Sequence, residues 1–213
     1  MPAHLRDAPS FLTPKLYSMV SDFFHPEVGG VENHIYMLSV TLMRMGHKVT
    51  PLFPIYCVLI TSGQVIVINH SHAPDRVGIR WLSPGLKVYH IPFPTIASSA
   101  TLPNFLSFLP YLRTIALRER IEIIHGHASL SSFAHESIMH AHHMGIRTVF
   151  TDHSLFGFDD AASILTNKLL EAMLSHVDAA ICVSHTGQAF FFLVWVALRL
   201  MDLLLQSRKH YPS

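Results

Sequence analysis

The sequence is poor in charged residues and in cysteine. Asp, Glu, Lys and Arg together make up 14% of the 213 residues, and the formal net charge is +1. Lysine and arginine form no cluster, which excludes the basic footprint of a nucleic-acid-binding protein. Cys57 and Cys182 are the only cysteines and form no metal or redox motif, so they are typical of a reducing compartment. The first fifteen residues contain no apolar run, and we therefore expect no secretory signal peptide.

Two common binding signatures are also missing. There is no G-x-G-x-x-G motif, so a dinucleotide site is not implied. The run HESIMH (135–140) is close to the zinc-protease signature H-E-x-x-H, but its histidines are five residues apart and would lie about 140° apart around a helix. His140 could pair with His142 or His143, yet no Asp, Glu or Cys stands at ligand spacing. We therefore predict solvent-exposed helix histidines here and no metal site.

What the sequence does contain is a regular alternation of strand-like and helix-like segments. Strands are predicted at 15–24, 65–72, 86–93, 121–127, 147–154 and 178–184, and helices at 31–46, 104–121, 131–145 and 162–177. This alternation predicts an α/β fold, a Rossmann-like parallel sheet with helices on both faces. Ligands of such sheets bind beyond the carboxyl ends of the strands. A glycine pair, His125 to His127, and Asp152 to Ser154 all follow strand ends and should converge there.

The glycine pair lies in VSDFFHPEVGGVENHIY (20–36), between a predicted strand and a predicted helix. Gly29 and Gly30 can adopt backbone angles closed to other residues, and neither has a Cβ to keep a ligand away. The helix that follows directs free N–H groups and a partial positive charge at the loop, which favours a phosphate. The same pair also serves as an ordinary strand-to-helix turn without any ligand. Both interpretations are open on these residues alone.

Two segments do not fit the alternation. Residues 50–64 separate the first helix from the second predicted strand, either as an extra hairpin or as an insertion that the fold does not require. Residues 189–206 form an apolar, helix-like stretch close to the lower limit of about 17 residues for a membrane span. Arg199 and Asp202 interrupt this stretch, and a charge near the bilayer centre costs on the order of 3 kcal/mol.

Several runs together resemble one family. They are VSDFFHPEVGGVENHIY, GIRWLSPGLKVYHIP, SILTNKLL and the long run IEIIHGHASLSSFAHESIMHAHHMGIRTVFTDHSLFGFDD. Over 16–49 and 65–187 the chain is similar to the catalytic subunits of phosphatidylinositol N-acetylglucosaminyltransferase. The resemblance implies a retaining glycosyltransferase of the two-domain GT-B fold that needs no cofactor and no catalytic metal. It would transfer GlcNAc from UDP-GlcNAc to phosphatidylinositol, the first step of GPI-anchor synthesis, on the cytosolic face of the endoplasmic reticulum membrane, together with other transferase subunits.

The resemblance also implies particular site residues. Gly29 and Gly30 correspond to the glycine loop at the substrate cleft, with Glu32 as a neighbouring substrate-binding residue. His153, in T-D-H-S, corresponds to the cleft histidine, which would position the transferring sugar or the acceptor rather than act as a general base. Asp152 and Ser154 would contribute to substrate binding.

The chain also departs from the family pattern. Residues 16–187 correspond to the N-terminal Rossmann-like domain, with 50–64 as an insertion, whereas 188–213 form a tail foreign to the family. The C-terminal donor-binding domain, with its nucleotide pocket and paired glutamates, has no counterpart in the sequence. We therefore expect the N-terminal half of a transferase, inactive by itself. The alternative hypothesis is a non-catalytic truncated form that docks onto the other subunits.

Overall fold

The computed structural model describes residues 16–45, 64–97, 100–101, 105–153 and 170–185. The apolar stretch 189–206 lies outside these residues, as does nearly all of the predicted insertion 50–64. The strands are β1 (Tyr17–Val20), β2 (Val65–His70), β3 (Gly78–Ser83), β4 (Leu86–Ile91), β5 (Thr95–Ala97), β6 (Ala100–Thr101), β7 (Ile123–His127), β8 (Arg147–Asp152) and β9 (Ala179–Cys182). The helices are α1 (Gly30–Met45), α2 (Phe105–Glu119) and α3 (Ser132–His143).

Seven strands form one sheet in the order β3-β4-β2-β1-β7-β8-β9. All neighbours pair in parallel except β3, which runs antiparallel to β4 at the edge. The short strands β5 and β6 form a separate antiparallel pair. Because β1 lies between β2 and β7, the carboxyl ends of β1, β7 and β8 lie side by side. This is where the sequence predicts the ligand crevice.

The core lies on both faces of the sheet. Neighbouring strand residues point to opposite faces, so Met19 packs in the α1 layer and Val20 in the layer of α2 and α3. On the first face Ile35 of α1 meets the valines of β2, and on the second Phe108 of α2 stacks on Phe133 of α3. Each helix buries one apolar side against the sheet, which stabilises both elements. The predicted doubly covered parallel sheet is therefore confirmed.

Local sequence explains where α3 begins and ends. The Ser131 side chain accepts a hydrogen bond from the backbone N–H of Ala134, which caps the first turn. Gly145, with φ of +73°, follows the last turn, as expected for a residue in the left-handed region. Gly126 of β7 lies directly under this helix, and a methyl group there would come within 2.9 Å of Ile138 Cδ1. A glycine at this position lets helix and strand pack closely.

The structure differs from the prediction in three places. Strand β1 spans four residues rather than ten, because the backbone N–H of Asp22 donates to the Ser131 hydroxyl instead of to a neighbouring strand. The hairpin of β3 and β4 was not predicted; it turns through Gly85, which has φ of +88°. The helix predicted at 162–177 ends at 174, three residues earlier than predicted, and its residues 162–169 lie outside the described residues. Among the described helices, none has the length and apolar character needed to cross a membrane.

Candidate functional site

Three histidines from three elements meet at the carboxyl edge of the sheet. His127 is the last residue of β7, His153 directly follows β8, and His34 lies in the second turn of α1. The rings of His34 and His153 are 4.7 Å apart, edge to face. His127 Nδ1 lies 3.3 Å from His153 Nε2. The structure thus brings His153 together with the helix that starts at the glycine pair.

Burial keeps these imidazoles uncharged at neutral pH. It lowers the pKa of His153 to about 4 and the pKa of His127 well below its ordinary value, and it also lowers the pKa of His34. His125 stacks on His127 at 4.1 Å, and burial lowers its pKa to about 4 as well. The Nε2 atom of His125 lies 2.7 Å from the hydroxyl of Thr151, which fixes the lower end of this stack. Neutral imidazoles can each donate one hydrogen bond and accept another.

The glycine pair lies at the same edge, and of the two properties that the sequence offered for it, only the missing Cβ is used. Positive φ angles occur at Gly78, Gly85 and Gly145 and not at Gly29 or Gly30. Neither residue of the pair therefore adopts a backbone conformation that other residues avoid. A methyl group on Gly29 would collide with the Glu32 carboxylate, whereas one on Gly30 would meet nothing within 4 Å.

The absence of a side chain therefore matters at both positions for different reasons. At Gly29 it leaves room for Glu32. At Gly30, the first residue of α1, it leaves the helix N-terminus open, and a helix N-terminus favours an anion.

Two other predicted site residues, Glu32 and Asp152, are buried. Glu32 is buried in the first turn of α1, with its carboxylate folded over Gly29. Asp152, the last residue of β8, is also buried and accepts a hydrogen bond from the hydroxyl of Ser129. Both carboxylates are therefore buried at the rim. Ser154 lies outside the described residues.

Sequence reasoning missed Asp22, which joins three elements beneath the rim. Its carboxylate accepts hydrogen bonds from the Thr101 hydroxyl at 3.0 Å, the Thr101 N–H at 3.4 Å and the Ser132 N–H at 3.0 Å. Burial raises the pKa of Asp22 to about 7, although these donors oppose the shift. In the sequence Asp22 lies inside the strand predicted at 15–24, so nothing marked it as a site residue.

The prediction for the histidines of α3 is wrong for one of them. His142 and His143 are exposed as predicted, but His135 is buried beside Phe150. Neither ring nitrogen of His135 has a hydrogen-bond partner among the described residues. His135 lies three positions before Ile138 on α3, so its side chain is on the same side of the helix as Ile138, which packs in the core layer against the sheet. Burial lowers the pKa of His135 to about 4.

We expect the fold to lose stability when the pH falls from 7.5 to 5. The unfolded chain binds a proton on histidine near pH 6.5, whereas buried His125 and His135 bind one only near pH 4. Their contribution to the free energy of unfolding is therefore fully present above pH 6.5 and is lost progressively as the pH falls toward 4. For a fully buried histidine the loss down to pH 5 is about 2 kcal/mol. Asp22 has the opposite sign, since its pKa is raised, and it offsets part of this loss.

The test is urea unfolding of His135→Leu at both pH values. The variant should lose less stability on acidification than the wild-type chain, while His142→Leu, at an exposed position of the same helix, should lose as much as the wild type. Equal losses in all three proteins would show that His135 does not titrate as a buried group.

The fold corresponds to a known class of structure. A solved structure of sucrose-phosphate synthase from Thermosynechococcus elongatus superposes with a TM-score of 0.54 at 14% identity, over 83% of this chain and 44% of that one. A second structure of that enzyme gives a TM-score of 0.51 at 12% identity, over 91% and 98%. At such identities the likeness concerns the fold alone. It confirms the Rossmann-like domain of a GT-B glycosyltransferase fold.

The sequence comparisons are more specific. Residues 70–160 match the family model described as PIGA (GPI anchor biosynthesis). The gpi3 subunit of phosphatidylinositol N-acetylglucosaminyltransferase from Schizosaccharomyces pombe is 52% identical over 168 residues, 79% of this chain and 33% of the relative. The corresponding subunits of the same transferase are 47% identical in Homo sapiens, over 80% of this chain and 32% of the relative, and 46% identical in Arabidopsis thaliana, over 82% and 36%.

These matches confirm the resemblance drawn from the motifs. The chain is related to the subunits of phosphatidylinositol N-acetylglucosaminyltransferase and carries residues of the PIGA domain. It spans about a third of the length of the curated relatives that it matches.

Proposed function

We propose that this chain forms the N-terminal domain of a GlcNAc transferase that acts in the first step of GPI-anchor synthesis. The enzyme transfers GlcNAc from UDP-GlcNAc to the inositol of phosphatidylinositol, with retention of configuration and without a cofactor. Identity of 46–52% to subunits of that transferase, over most of this chain, supports this assignment. The single observation that supports it most directly is the ring contact between His153 and His34 of α1. This contact lies at the edge of the sheet where folds of this type bind ligands.

The glycine loop would bind a phosphate of one of the two substrates. The N-terminus of α1 is open at Gly30, and its free N–H groups and partial positive charge favour an anion. The diphosphate of UDP-GlcNAc and the phosphate of phosphatidylinositol share this chemistry. The Glu32 carboxylate occupies the space that a Cβ on Gly29 would need.

His153 would position the sugar or the acceptor by hydrogen bonding. With a pKa of about 4 its imidazole is neutral at pH 7, so it is a weak base and cannot act as a proton donor of the imidazolium type. A neutral ring can still donate an N–H to a sugar or inositol hydroxyl. Asp152 supports the end of β8 through Ser129, directly before His153.

The proposed enzyme works at the cytosolic face of the endoplasmic reticulum membrane, in association with other transferase subunits. The alternative function is a non-catalytic chain that docks onto the same subunits. The two functions differ in a single measurable property, which is transfer in the presence of the second domain.

A chimera separates these two functions. Residues 16–49 and 65–187 replace the matching third of the Schizosaccharomyces pombe relative in cells that lack it, and membranes are assayed for GlcNAc-phosphatidylinositol. We expect the chimera to restore synthesis and the 213-residue chain alone to give none, because both substrates must be held in one cleft and misplacement alone costs orders of magnitude.

The chimera must also co-purify with the other subunits for the result to count. A chimera that assembles with them and makes no product would contradict the transferase function and support the docking function. Product from the 213-residue chain alone would contradict the assignment of that chain to one half of the cleft.

A further inference from the structure

The three rim histidines have a second property that substrate positioning does not require. One ring nitrogen from each of His34, His127 and His153 lies within 4.8 Å of one ring nitrogen of each of the others. The three residues come from α1, from the end of β7 and from the residue after β8, so separate elements support each ring.

The spacing of the nitrogens is close to that of a tetrahedral zinc site. Zinc binds imidazole nitrogen at about 2.0–2.1 Å, which places two ligand nitrogens of a tetrahedron about 3.3–3.4 Å apart. His127 Nδ1 and His153 Nε2 already lie 3.3 Å apart. His34 is half-buried on the helix side of the cluster, and a ring movement of about 1.5 Å or less would bring its nitrogen to the same spacing.

The chemistry of the three ligand atoms determines which metal ions they can bind. All three donors are imidazoles, which suit zinc and other late first-row metals, whereas magnesium and calcium require oxygen ligands. A neutral imidazole binds such an ion through the lone pair of one ring nitrogen. Three protein ligands leave the fourth zinc position to water or to an anionic oxygen from the cleft.

We propose that His34, His127 and His153 bind one Zn²⁺ ion at the carboxyl edge of the sheet. Binding would engage one ring nitrogen of His153 and leave the other free to donate a hydrogen bond. The ion would share His153 with the substrate contact proposed above. Metal binding itself is a property of this chain and can be measured without any transferase activity.

The experiment measures zinc affinity and stoichiometry by competition with a chromophoric chelator, on the complete 213-residue chain stripped of metal. Cobalt(II) serves as a second probe, because its visible absorption reports tetrahedral nitrogen ligation. We expect one high-affinity site per chain. His34→Ala should weaken zinc binding at least about 100-fold, since loss of a residue that merely orients a metal ligand already costs about 10- to 100-fold. Alanine suits a helix position, so the variant should remain folded.

A matched control comes from the exposed histidines at the other end of α3. His142 and His143 lie near His176, with ring distances of 5.0 Å and 5.4 Å to it. The double variant His142→Ala/His143→Ala should keep the high-affinity site and its cobalt spectrum. Undiminished binding in folded His34→Ala, loss of binding in the control, or the absence of any high-affinity site in the wild-type chain would each overturn the proposal.

Discussion

Gly30→Val is expected to abolish GlcNAc transfer while leaving the fold intact. The reference is the chimera that carries this chain in place of the matching third of the Schizosaccharomyces pombe relative. A Cβ on Gly30 meets nothing within 4 Å, and the backbone there has no positive φ. Valine is also a better helix residue than glycine. The protein should therefore lose no stability, and any loss of activity must arise from the space that the side chain occupies.

That space is the approach to the N-terminus of α1. A phosphate that binds there must come within hydrogen-bond distance of backbone N–H groups, and a branched side chain at the first helical residue fills this approach. The measurement is transfer rate and melting temperature on the same membranes or purified complex. Gly30→Ala provides a graded control, because its smaller methyl group should leave part of the activity. Near-normal transfer in Gly30→Val would show that no phosphate binds at this helix end.

His153→Ala is expected to lower kcat by roughly a hundredfold or more. This is the order of magnitude seen when a preorganised hydrogen-bond donor is removed from developing charge. The stability of the variant should fall by about 1 kcal/mol at most, as is usual for a partly buried residue outside the core. His153 is half-buried, and its ring contacts are with His34 and His127.

A structural role would give the opposite result. If His153 only fills space at the rim, its replacement should depress the melting temperature and leave kcat almost unchanged. His142→Ala, on the exposed end of α3, should change neither quantity and serves as the control for a histidine outside the site. Measuring kcat, KM and melting temperature on each variant separates a loss of positioning from a loss of folding.

The elements that the sequence predicted correctly are those marked by the pattern of residues within the element itself. The stretch before Asp22 reads as a buried strand, and the helix that starts at Gly30 follows from apolar spacing and from the glycine pair. The β3–β4 hairpin was missed because its edge strand carries exposed apolar residues, so no alternation of polar and apolar faces marks it. An edge strand is defined by its partner more than by its own pattern.

The residues of the candidate site also fall into those that the sequence indicated and those that it did not. Sequence pointed to His153 and to the glycine pair because each follows a strand end, and the convergence of strand ends is a property of every parallel sheet. The sequence could not assign His34 to the site. A histidine on a helix gives the same sequence pattern whether it faces solvent or the end of a neighbouring strand. It also misjudged His135, whose burial depends on which side of α3 packs against Phe150.

The sequence by itself determined the parallel α/β fold, the resemblance to the transferase subunits and the edge of the sheet at which a ligand site is expected. These follow from hydrophobic periodicity and from motifs of neighbouring residues, which are local in the chain. The tertiary structure alone decided that His34, His127 and His153 meet, and that burial leaves them neutral. Ligand geometry and desolvation depend on distances between residues far apart in sequence, and only the packing of α1 against the strand ends fixes those distances.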